Sequence, residues 1–61
     1  MTQLEQNYAK MAGEPTEVMF SGSFLYVFAS EAGCKNILRK NKVGRVCYSN
    51  KLGRWNYGLE R

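Results

Sequence analysis

The sequence predicts a small α+β domain in which two helices and four short strands follow in the order α-β-β-α-β-β. Three observations predict it. Apolar residues recur at helical spacing in two segments, Leu4-Tyr8-Met11 and Cys34-Ile37-Leu38. Runs rich in β-branched and aromatic residues cover 16–28 and 43–59, each interrupted by a glycine, Gly22 and Gly53. Finally, 61 residues suffice for one domain only, since a chain of this size buries about 60% of the surface its unfolded form exposes. Residues 1–61 are therefore read as a single unit, with a helix at 2–12, a break at 13–15 and a sheet-plus-helix body at 16–61.

The first helix opens on Thr2-Gln3-Leu4-Glu5, a capping box in which Thr2 accepts from an early backbone N–H and Glu5 reaches back. Gly13-Glu14-Pro15 ends it, because glycine suits a left-handed cap and proline cannot continue a hydrogen-bonded helix. This short amphipathic helix either docks on the body or serves as an arm that orders on binding. Strands follow at 17–21 and 23–28, with a turn or bulge at Gly22. In the second strand Phe24, Tyr26 and Phe28 face one way and Leu25 and Val27 the other. Both faces are apolar, as in a central strand covered on both sides or one with a face buried in a homodimer. Phe24, Leu25 and Val27 are accordingly a candidate apolar interface.

Ser30 is placed to cap the second helix, with Glu31 at the positive end of its dipole. Its apolar stripe, Cys34, Ile37 and Leu38, is expected to pack across an antiparallel sheet. The remaining strands form a hairpin around Asn50-Lys51-Leu52-Gly53. A two-residue turn pairs Val46 with Trp55, whereas a four-residue loop ending on Gly53 pairs Tyr48 with Trp55 and Val46 with Tyr57. Both registers place Val46, Tyr48, Trp55, Tyr57 and Leu59 on one side and Arg45, Cys47, Arg54 and Asn56 on the other.

Charge is sorted along the chain. Up to residue 34, Glu5, Glu14, Glu17 and Glu31 stand against Lys10 alone, whereas 35–54 holds seven cations and no acid within a net charge of +4. Such asymmetry builds a field that attracts anions. Arg39, Lys40, Lys42, Arg45, Lys51, Arg54 and Asn56 are the candidate binding residues. Simpler readings stand beside this one: a solvated surface, or cations favoured at a helix C-terminus by the dipole. Trp55 and Tyr57 would stack bases only if exposed, and the face partition puts them in the core.

Enzymatic chemistry is not expected. The chain has no histidine and two cysteines, which removes imidazole bases, most hydrolytic triads and four-ligand zinc sites. Neither a phosphate-binding glycine loop nor a nucleophile elbow is present. Cys34 lies near a helix start but on its apolar stripe, and Glu14 and Glu17 read as solvated loop residues. No catalytic residue, metal or cofactor is assigned.

The expected function is a non-enzymatic binding module whose basic face engages an anionic partner, foremost nucleic acid without strong sequence specificity. The alternative is a protein-binding inhibitor of a host enzyme or nucleoprotein complex, as phage-encoded inhibitors of host defence or transcription are; the comparison rests on size and missing chemistry. Residues 1–5 do not read as a secretory signal, and the longest uncharged run, 18–30, is too short to span a membrane. A cytoplasmic protein with reduced Cys34 and Cys47 is expected, although a bridge between them remains open on sequence grounds.

Overall fold

The structure, a computed structural model, describes residues 3–60. The elements are α1 (Gln3–Ala12), β1 (Glu17–Ser21), β2 (Phe24–Ala29), α2 (Glu31–Asn41), β3 (Arg45–Ser49) and β4 (Arg54–Glu60). The α+β class and the element order are those expected. β2 starts and ends one residue later than the 23–28 read from sequence, because the turn takes both Gly22 and Ser23 and leaves Ser21 opposite Phe24. Thr2, the expected cap of α1, lies outside the described residues.

The four strands form one antiparallel sheet in the order β1-β2-β4-β3. β4 therefore lies between β2 and β3, and α2 carries the chain over it from one to the other. In the β3–β4 hairpin Tyr48 pairs with Trp55 and Val46 with Tyr57. This is the register of the four-residue connection, closed by a Gly53 N–H to Ser49 carbonyl bond of 2.7 Å with Gly53 at φ 65°. A left-handed residue at that point is what glycine supplies without steric cost.

Both helices lie on the same side of the sheet. There Tyr8 and Ala12 from α1 and Cys34 and Ile37 from α2 meet Leu25, Val27 and Tyr57 in one buried cluster. Val18, Val46, Trp55 and Leu59 pack at its margin. Tyr48 departs from the sequence reading. It shares the face of Trp55 but remains exposed, because β3 is an edge strand; its ring contacts Trp55 edge-on, 5.3 Å between centroids.

α1 is docked rather than free: besides its two buried side chains, the Asn36 amide of α2 donates to the carbonyl of Ala12 at 3.4 Å. Glu14 is not the solvated loop residue the sequence suggests. Its carboxylate accepts from the Ser30 N–H at 3.2 Å and from the Ser30 hydroxyl, while Ser30 Oγ accepts from the Gly33 N–H at 3.1 Å. The electropositive helix N-terminus draws in the nearest carboxylate, and the α1–β1 connection is thereby fixed to α2. Glu17 likewise has a partner, Arg54, at 3.2 Å.

The far end of α2 is closed by Lys42, whose left-handed backbone (φ 64°) directs its N–H to the Leu38 carbonyl at 2.7 Å. The buried Tyr57 then anchors the chain as it turns into β3. Its hydroxyl donates to the Val43 carbonyl and accepts from the Asn41 amide at 3.3 Å. Among the described residues no helix is long and apolar enough to cross a membrane.

Candidate nucleic-acid interface

The helices cover one face of the sheet and leave the other open. The pairing registers align its outward side chains in rows across β1, β2, β4 and β3. One row holds Glu17, Phe28, Asn56 and Cys47. The next holds Met19, Tyr26, Gly58 and Arg45. The third sets Ser21 beside Phe24 and Glu60. Down the second strand this produces a column of three aromatic rings, Phe24, Tyr26 and Phe28, on the uncovered side.

The rings are not equivalent. Arg54 donates to Glu17 at 3.2 Å and lies 5.1 Å over the ring of Phe28, which is only 7% exposed. Phe24 is 43% exposed, and its ring runs nearly parallel to that of Tyr26, 23° and 6.1 Å apart. Beside this pair lies a groove of about 600 Å³, walled on the β3 side by Arg45 and Cys47, with Asn56 and Gly58 in its lining and Glu60 at its end. Glycine at 58 keeps the floor low: the Tyr26 ring lies 3.5 Å from where a Cβ would stand.

The structure separates the six candidate cations into two groups. Arg39 and Lys40 sit in the last turn of α2, Lys42 caps it and Arg45 begins β3, so four cations surround one connection. Lys51, in the hairpin loop, and Arg54 lie at the other end of β3, about 14 Å away at strand rise. Arg54 is already committed to Glu17 and Phe28, whereas Arg39, Lys40, Lys42, Arg45 and Lys51 have no acidic partner among the described residues. Asn56 is half-buried within the groove.

Of the candidate apolar trio only Phe24 is presented. Leu25 and Val27 face the helices and are buried, Val27 completely, so neither can meet a partner. Sequence reasoning recognised the alternation in β2 but not which half stays open, and it left out Met19, Tyr26 and Gly58. The missing signal is the pairing of β2 with β4. Only that register places Leu25 and Val27 beside the core residues Leu59 and Tyr57.

No group of three or more His, Cys, Asp or Glu side chains able to hold a metal occurs among the described residues. Cys34 and Cys47 are both free and lie on opposite sides of the sheet, so no bridge joins them. Burial pushes the Cys34 thiol up, opposed by a backbone hydrogen bond at Ala29 and reinforced by the Glu14 carboxylate, and a protonated thiol is a poor nucleophile. A thiol-alkylating reagent at neutral pH is therefore expected to place one adduct on the folded protein, at Cys47, with Cys34 reacting only in denaturant. Intact-mass and peptide spectrometry check this, and rapid double labelling would show that the core is open. No family model, curated protein or solved structure matches the chain.

Proposed function

We propose that this chain is a non-enzymatic binding module whose basic side chains hold nucleic acid without strong sequence preference. The observation that carries the reading is the cluster of cations at the α2–β3 connection, Arg39, Lys40, Lys42 and Arg45, none of which has an acidic partner among the described residues. Cations at a helix end complement its dipole, but Arg45 lies beyond the helix and at the wall of an open groove, where the dipole does not account for it. Phosphate contacts position a ligand without reading its bases, so contacts made by these cations give affinity without sequence preference.

Binding of a fluorescently labelled oligonucleotide of arbitrary sequence, followed by anisotropy, tests the reading. Four phosphate contacts to a single strand predict a log K against log salt slope of about −3, or a loss of roughly fifty-fold between 50 and 200 mM salt. Arg45→Glu is expected to weaken binding about tenfold and flatten that slope, since a cation–phosphate contact becomes a repulsion. Absence of binding at low salt would reject the reading.

A second reading, docking on a protein or nucleoprotein surface, is favoured by the β1–β2 hairpin. Met19, Phe20 and Phe24 there are all large, apolar and about half exposed. Affinity capture before and after nuclease digestion separates the two. A partner protein retained in stoichiometric amount after digestion supports docking, and loss of all bound material supports nucleic acid.

A further inference from the structure

The two faces of the sheet differ in what they offer a nucleic acid, and the difference bears on its strandedness. We propose that the ligand is single-stranded, with bases stacking on Phe24 and Tyr26 and the sugar–phosphate chain running along the β3 side past Arg45. This deepens the nucleic-acid reading above and rests on it.

Three features support it. First, the rings stand on a central strand with no helix over them, and Phe24 and Tyr26 are near-parallel, so their free faces are available to flat ligands. In a duplex the base faces are already stacked on one another, and such a platform would have nothing to receive; a single strand exposes them. Second, Gly58 separates Tyr26 from Arg45 in the same cross-strand row, so two strand spacings, about 10 Å, lie between the aromatic column and the start of the cationic side chain. The low floor between them leaves room for the sugar of a stacked nucleotide. Third, charge is distributed to match a strand lying in one direction. Arg45 has no acidic partner among the described residues, and Lys42 stands three residues before it at the same end of the sheet. The two carboxylates of this face are placed off that track: Glu17 is neutralised by Arg54, and Glu60 stands next to Phe24, where it repels phosphate from the base-stacking side.

Anisotropy titrations with a labelled twelve-residue oligothymidylate and a blunt duplex of equal length are the test. The wild-type protein is expected to prefer the single strand. Phe24→Ala and Phe24→Leu are each expected to lower single-strand affinity by about 5- to 150-fold, the range measured for removal of one stacked aromatic, whereas Phe24→Trp retains it. Phe24 is 43% exposed and lies outside the buried cluster, so these variants keep the fold, which far-UV circular dichroism verifies. Phe24→Leu preserves apolar surface and removes only the ring; wild-type affinity in that variant overturns the platform while leaving the phosphate-binding reading intact. Wild-type protein that binds neither ligand rejects both. A sedimenting mass that doubles in the wild type and halves in Phe24→Leu would assign the face to a second copy of the chain instead.

Discussion

Gly44→Ala is expected to lower the melting temperature by roughly 15 °C or more, since each kcal/mol lost shifts a domain of this size by about 4–8 °C. Two costs add at this position. The backbone holds φ 99°, which a residue with a Cβ adopts only at about 1–3 kcal/mol. The new methyl would then stand 2.6 Å from the Tyr57 hydroxyl and 2.7 Å from the Gly58 carbonyl. That carbonyl belongs to a central strand paired on both sides, so it has little freedom to retreat, and overpacking of this kind costs about 1–3 kcal/mol more. A chain of 61 residues holds only about 3–9 kcal/mol in total. Thermal unfolding followed by circular dichroism reads the effect, and a shift of less than about 5 °C would show that the α2–β3 connection takes another conformation.

The second large effect belongs to Tyr57, which is fully buried with its ring 6.2 Å from that of Tyr8. Tyr57→Ala removes a large core side chain, at about 3–5 kcal/mol, and is expected to lower the urea midpoint by half or more. Tyr57→Phe keeps the ring and removes only the hydroxyl, stranding the Val43 carbonyl and the Asn41 amide. Its expected cost is about 1–3 kcal/mol, with folding retained. Urea titration monitored by near-ultraviolet circular dichroism distinguishes the two variants. A phenylalanine variant as stable as the wild type would mean that water replaces both bonds.

These positions also mark the boundary of what the sequence reveals. Local signals were readable: the Ser30 cap, the stop after Ala12 and the β3–β4 face partition, though not which of the two hairpin registers closes it, which only the structure decides. Each depends on residues close together in the chain, where propensity and side-chain period act directly. The role of Gly44 was not readable, because it is defined by a hydroxyl thirteen residues away that reaches the loop only once β3 and β4 have paired. Glu14 was misread for the same reason, its partner Ser30 being sixteen residues on. The candidate interface suffered similarly. Its cations can be read off the chain, but that Arg54 is engaged by Glu17 and Phe28 cannot, and the open ring column is visible only as one of two equivalent faces. Which of those faces meets the helices depends on β2–β4 register, a property of two segments joined by a helix and a hairpin.

The strand order carries a consequence for how the protein is made. Synthesis delivers β3 before β4, yet β3 has no neighbour in the sheet until 54–60 has been added, and β2 has only β1. Without 54–60, β2 keeps one open edge and β3 both, and only the helices and the first hairpin can form from local contacts. Joining β2 to β4 is the one long-range pairing that completes the sheet, and long-range pairing of this kind slows folding and leaves strand edges open to aggregation until it forms.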